Sequence, residues 1–257
     1  MQAGFEAPTV WHEFTPLANL HKATNLGQGF PDWAPPPFIR DALFKAVDDN
    51  LNAYSRSAGH LGLCEQLAVD YTKKLGQPVN ALTNVVVTVG STEALYSLTQ
   101  GMLEEGDEVI AFEPAFDIYQ AHAKMAGAKL VTVPLRVVDG RWTFDPAQLA
   151  AAFTPRTRLL IVNSPHNPTG KVFTRAEYES IAVIVQQHSD CVVVTDEVYE
   201  NMVFDSREFC HFASLPGMWD RTVTMCSAGK SFSITGWKIG SFVCRLSVCV
   251  CSNRDYH

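Results

Sequence analysis

From residue 84 onward, short runs of β-branched residues alternate with segments whose apolar positions recur at helical spacing. Residues 84–89 (NVVVTV) form a run rich in β-branched residues that predicts a buried strand. Over 91–104, Leu95, Leu98, Met102 and Leu103 fall on one helical face. The same alternation predicts a strand over 107–112, a helix over 116–126 and a strand over 129–134. Asp145 followed by Pro146 predicts an N-cap and first helical position, opening a helix over 147–153. A strand over 158–162 comes next. Thr174 with Glu177 is a capping box that starts a helix reaching about His188. Runs over 191–195, 222–226 and 238–243 complete the strands. Before residue 84 the pattern changes to an irregular Pro/Gly-rich segment over 26–37, then helices over 38–50 and 61–75.

Strand–helix alternation of this kind implies βαβ units: an α/β fold with a mostly parallel seven-stranded sheet covered by helices on both faces. No internal repeat or low-complexity tract interrupts it. Composition agrees, with 47% hydrophobic and 18% charged residues, enough to fill a core and too few charges for a disordered chain. At 257 residues the chain is one large domain or two small ones. The net charge is −7 and no dense Lys/Arg cluster occurs, which argues against a nucleic-acid partner. No apolar run approaches the roughly 20 residues of a membrane span.

Glu6 and Glu13 precede Lys22, before which there is no Lys or Arg, and this fits neither a secretory nor a transit signal. The expectation is a cytoplasmic protein, with a mitochondrial isoform of different start left open. Seven cysteines is an odd number, and Cys64, Cys191, Cys210 and Cys226 sit in apolar segments, as reduced core thiols do.

Ligands of open α/β sheets bind outside the carboxyl ends of the strands, so the residues following each strand are the candidates. They are Ser91-Thr92 opening a helix, Phe116, Asn167 in NSPHNPTG, Asp196 with Tyr199, and Ser227 with Lys230. Taken singly, each has an ordinary explanation: an N-cap, a core aromatic, a turn, an ion-pair partner and a solvated lysine. Five such coincidences on one rim are improbable. Gly229-Lys230-Ser231 resembles the end of a P-loop, but position 224 is Thr where that loop needs glycine, and no G-x-G-x-x-G follows a strand, so a nucleotide is disfavoured. Pyridoxal phosphate wants a lysine for a Schiff base, a carboxylate for its pyridinium nitrogen and a seat for its phosphate. It also gains from an aromatic face and from donors to its phenolic oxygen, and this set supplies one of each.

The motifs NLGQGFPDW, VTVGSTEAL, EPAFDIY, NSPHNPTGKVF, TDEVYE and SAGKSFSITGWKIG, in this order from about Val10 to Gly240, resemble those of the fold-type I, class I/II aminotransferases. Within these they are most like the kynurenine aminotransferases, also called glutamine transaminase K or cysteine-S-conjugate β-lyase. The resemblance implies that Lys230 carries the Schiff base and moves the substrate's proton, and that Asp196 keeps the pyridine nitrogen protonated. It further implies that Asn167 and Tyr199 hold the phenolic oxygen, and that Ser91, Thr92, Ser227 and Lys238 hold the phosphate. Phe116 would stack on the ring, and Trp11, Gly29 and Asn167 would bind substrate. Tyr54 matches a tyrosine that the family contributes to the phosphate of a partner subunit in a homodimer. The implied reactants are an α-amino acid with an apolar or aromatic side chain and a 2-oxo acid. No metal, membrane or nucleic-acid partner is implied.

After Gly240 the family pattern decays into SFVCRLSVCVCSNRDYH. The domain expectation is therefore an N-terminal arm over 1–37, a cofactor-binding domain over 38–243 and an unmatched tail over 244–257. The small C-terminal domain, and with it the arginine that grips the substrate carboxylate, is expected to be missing; Arg245 and Arg254 match nothing. Cys249-x-Cys251 with Cys244 and His257 fits no closed zinc pattern well. A splice variant, frameshift or retained intron accounts for such a tail better. The alternative function is then a catalytically impaired fragment that binds the cofactor or a partner chain.

Overall fold

A computed structural model describes residues 10–29 and 31–245. Its elements begin with α1 (Val10–Leu20), α2 (Pro37–Asp48) and α3 (Leu61–Leu75), followed by β1 (Val85–Val89), α4 (Gly90–Met102), β2 (Glu108–Glu113), α5 (Ile118–Met125) and β3 (Lys129–Pro134). Next come β4 (Arg136–Val138), β5 (Arg141–Thr143), α6 (Pro146–Ala152), β6 (Thr157–Asn163) and α7 (Arg175–Gln186). The chain continues through β7 (Val192–Asp196), β8 (Thr222–Ser227), α8 (Ala228–Ser231) and β9 (Ile239–Cys244).

Seven strands form one sheet in the order β1-β9-β8-β7-β6-β2-β3. The pairs β3–β2, β2–β6, β6–β7 and β7–β8 are parallel, whereas β9 runs antiparallel between β8 and β1. This is the mostly parallel sheet that the alternation of elements predicts. The central strands are apolar because both of their faces are covered. On one side Ile110, Leu160 and Val193 pack against Tyr178, Ile181 and Val185 of α7. On the other, Val109, Leu159 and Val194 pack with Ala94, Leu95 and Leu98 of α4.

Local signals set the helix ends. The Asp145 side chain accepts the Ala147 N–H at 2.8 Å with Pro146 at the first position, and Thr174 and Glu177 close a reciprocal capping box. Along α3, Cys64, Ala68, Tyr71 and Leu75 form the buried stripe, and Gly76 ends the helix in a left-handed conformation (φ 64°).

Two features lie outside the sequence expectation. Residues 10–20 are helical, and a small antiparallel hairpin, β4–β5, sits beside the main sheet. Cys64, Cys191, Cys210 and Cys226 are buried free thiols, as expected. Cys249, Cys251, Arg254 and His257 lie outside the described residues. Among the described residues, no helix is long and apolar enough to cross a membrane.

Candidate active site

The carboxyl ends of β6, β7 and β8 open into a cavity of about 630 Å³, closed on one side by the start of α4 and on another by residues 27–29. Ser91, Thr92, Phe116, Asn167, Asp196, Tyr199, Ser227, Lys230 and Lys238 all line it, together with Trp11 and Gly29. Eleven of the twelve residues singled out from the sequence are thus brought together. Tyr54 is the exception: it lies outside this cavity, fully exposed on the surface.

The sheet register does much of the positioning. Asn163 at the end of β6 is the Cα partner of Asp196 at the end of β7. The Asn163 amide donates to the Asp196 carbonyl at 2.8 Å, while its Oδ1 accepts the Asn167 backbone N–H at 2.6 Å. One side chain therefore ties the Asn167 loop to the strand that carries the carboxylate. Asn167 Nδ2 in turn lies 3.5 Å from the Tyr199 hydroxyl.

Asp196 is buried, and its Oδ2 accepts the Tyr119 hydroxyl at 2.7 Å. Burial pushes its carboxyl above the ordinary carboxylate range, while the Tyr119 and Val198 donors pull it back. Lys230 lies on α8, its Nζ 5.6 Å from the centroid of the Tyr199 ring. Burial lowers the pKa of its ammonium, Asp196 opposes that shift and Lys238 adds to it. An amine held this way reaches its neutral, nucleophilic form more readily than a solvated lysine does.

The opposite end of the cavity favours anions. The 13-residue helix α4 starts there with Ser91 and Thr92 in its first turn, and helix N-termini attract negative charge. Lys238, itself in a left-handed conformation (φ 55°), lies against that start. A Cβ on Gly90 would stand 3.4 Å from Lys238 Cε and 3.5 Å from Nζ. The strand β9 approaches even more closely: a Cβ on Gly240 would fall 2.4 Å from Ser91 N.

Two residues of the site escape the sequence reading. Tyr119 and Asn163 both line the cavity, one holding the carboxylate and the other the loop. No local signal marks Tyr119: Phe116 precedes α5, and within EPAFDIY Tyr119 reads as one more core aromatic.

A carboxylate, a lysine of lowered pKa and the start of a 13-residue helix thus lie along one rim, and comparisons with known proteins place the chain that carries them. The family model described as "Aminotransferase class I and II" matches residues 21–254. The chain is 45% identical over 248 residues to a kynurenine–oxoglutarate transaminase of Dictyostelium discoideum, with 91% of this chain and 57% of that protein covered. It is 48% identical over 241 residues to the human kynurenine–oxoglutarate transaminase 1, covering 90% and 57% respectively. Among solved structures, N-succinyldiaminopimelate aminotransferase from Mycobacterium tuberculosis superposes with a TM-score of 0.90 at 41% identity, covering 96% of this chain and 64% of that one. The chain therefore spans rather more than half the length of the relatives it matches, and over that span it belongs to the class I and II aminotransferases.

Proposed function

We propose that this chain binds pyridoxal 5′-phosphate through Lys230 and transfers an amino group between an α-amino acid and a 2-oxo acid. Kynurenine, glutamine, or an amino acid with an apolar or aromatic side chain is the donor. The observation that carries this reading is the buried Asp196 carboxylate sharing one cavity with Lys230 and with the α4 start. The donor set fits the cofactor. A buried carboxylate with one hydroxyl partner suits a protonated ring nitrogen, and the Ser91, Thr92, Ser227 and Lys238 end suits a phosphate dianion. When bound, the cofactor supplies a carbonyl for the lysine amine and a ring that accepts the electron pair of the substrate's Cα–H bond.

The chain's own residues would do the rest. Asp196, held by Tyr119, keeps a proton on the ring nitrogen. Asn167 and Tyr199 converge on the phenolic oxygen, and Phe116 covers a ring face. Lys230 takes the Cα proton and returns it, acting as general base and then general acid. Trp11, Gly29 and Asn167 form the substrate side. Tyr54, exposed in the single chain, reaches the phosphate of a second copy in a homodimer. Residues 38–243, with Cys244 closing β9, are the cofactor-binding domain, and 1–37 an arm on the substrate side. The same proton abstraction would release a good leaving group from Cβ, so cysteine S-conjugates are candidate lyase substrates.

A second reading has its own observation. Among the described residues lining the cavity there is no arginine, the group best shaped for a substrate carboxylate. On that reading the chain holds the cofactor without efficient turnover.

The test is the visible spectrum of the purified chain with pyridoxal phosphate, before and after kynurenine, then with 2-oxoglutarate. Transamination requires a band that bleaches with the amino acid and returns with the 2-oxo acid, and Lys230→Ala should lower turnover by about three orders of magnitude. A band indifferent to amino acids supports the second reading, and no band at all overturns both.

A further inference from the structure

Asp196 and Tyr199 face the cavity, while the two acids beside them do not line it. Glu197 is fully buried, and Glu200 closes a tight turn with it, donating its N–H to the Glu197 carbonyl at 2.9 Å. Met202 N–H then bonds the Tyr199 carbonyl at 2.7 Å. The segment that presents the carboxylate and the phenol is thus a compact turn whose reverse side carries two acids.

A single imidazole touches both. His211 Nδ1 lies 2.6 Å from Glu197 Oε2, and its Nε2 lies 3.8 Å from Glu200 Oε2. An ionised carboxylate only accepts, so the Nδ1–H donates. The backbone that carries the ring is held: the His211 carbonyl accepts Ser214 N–H at 3.0 Å and Ser214 Oγ–H at 2.7 Å. The rings of Tyr71 and Phe209 meet it edge-on, at 6.2 and 4.9 Å between centroids. From α3, Lys74 Nζ approaches Glu200 Oε1 at 2.8 Å, which already places a cation on that acid. Glu197 is different. Among the described residues His211 is the only hydrogen-bond partner its carboxylate has, and its Oε1 is buried with none.

We infer that His211 is a positioning residue: by pinning Glu197 behind the turn, it sets where Asp196 and Tyr199 meet the ligand. Without the imidazole, a fully buried carboxylate would lose its one donor, and such a group moves toward water or drags its backbone with it. The displaced backbone is the residue after Asp196 and two before Tyr199. The functional half of this inference rests on the cavity being a pyridoxal phosphate site; the structural half does not.

Three substitutions separate the brace from mere space filling. His211→Asn returns an N–H near the Nδ1 position, His211→Gln offers one near Nε2 instead, and His211→Phe fills the ring volume with no donor. In the cofactor-loaded chain, His211→Phe and His211→Gln should weaken pyridoxal phosphate binding roughly tenfold, with His211→Asn staying within about twofold of the unsubstituted chain. The pH midpoint of the visible band should move up by about one unit in the first two, because Tyr199 no longer supports the cofactor's phenolate. Hydrogen–deuterium exchange of amides 197–202, which needs no cofactor, should quicken in the same two variants. Unchanged affinity, midpoint and exchange in all three would overturn the inference. So would His211→Asn behaving as His211→Phe does. If His211→Phe does not fold, the Asn and Gln pair decides. A parent chain that forms no band overturns the proposed function instead, and the exchange comparison still judges the brace.

Discussion

His166 stands one residue before Asn167, buried, with Nδ1 2.8 Å from Thr169 Oγ1. Burial, with a smaller contribution from Lys171, pushes its pKa from 6.5 down to about 4. The unfolded chain takes up a proton below pH 6.5 that the folded chain refuses until about pH 4. The resulting stability is present in full above the unfolded value and is lost as pH falls through that window, by roughly 3 kcal/mol. Urea titrations at pH 7 and near pH 4 should show this loss in the parent chain, and a smaller one in His166→Asn, which has no imidazole to protonate. Single residues also mark the limit of what the sequence discloses. Lys230, Asp196 and Asn167 are legible because each follows a strand, where ligands gather. Tyr119 is not, since nothing in EPAFDIY separates it from a core aromatic. Its role comes from a hydrogen bond to Asp196, 77 positions away. His211 is hidden for the same reason: Glu197, 14 positions earlier, has to be folded behind the cavity before an imidazole next to it means anything.

Between elements, the tightest approach is that of β9 to the first turn of α4. A methyl on Gly240 would lie 2.4 Å from both Gly90 C and Ser91 N, atoms of backbone that have no rotamer to escape into. Gly240→Ala should therefore push strand and helix apart and cost about 1–3 kcal/mol, measurable by denaturant unfolding. Because Ser91 opens the anion end of the cavity, the same variant should bind pyridoxal phosphate more weakly. The elements most legible in advance are those with local punctuation, such as α6 with its Asp145-Pro146 start and α7 with its capping box. The helix α1 lacks such marks and contains Pro16. The hairpin β4–β5 has three-residue strands, too short for periodicity to register. It nevertheless turns on Asp139-Gly140, both at positive φ, the dipeptide that favours two-residue hairpin loops. The antiparallel insertion of β9 between β1 and β8 is a long-range pairing that no local pattern encodes.

Over the whole molecule, α2 has no buried residue, although it carries Phe38, Leu43, Phe44 and Val47. With Leu51 and Trp33 also exposed, this end of the chain offers water a good deal of apolar surface. Phe44→Glu should lower light scattering of concentrated solutions and leave the unfolding midpoint nearly unchanged, because a side chain 60% exposed contributes little to the core. At the opposite extreme of burial stands the end of β7, where Asp196 faces the cavity and Glu197 turns to the other side. Strand neighbours alternate faces, so a one-residue slip exchanges what each face receives. Deleting a residue upstream in β7 would bring Glu197 to the cavity face, and the pocket would keep an acid one methylene longer. The reverse side would be emptied of the carboxylate that His211 grips. A deletion there thus leaves a spare negative charge for the ligand but none for the turn's own support, and should be tolerated by the chemistry sooner than by the fold, whereas an insertion would bring Thr195 to the cavity face.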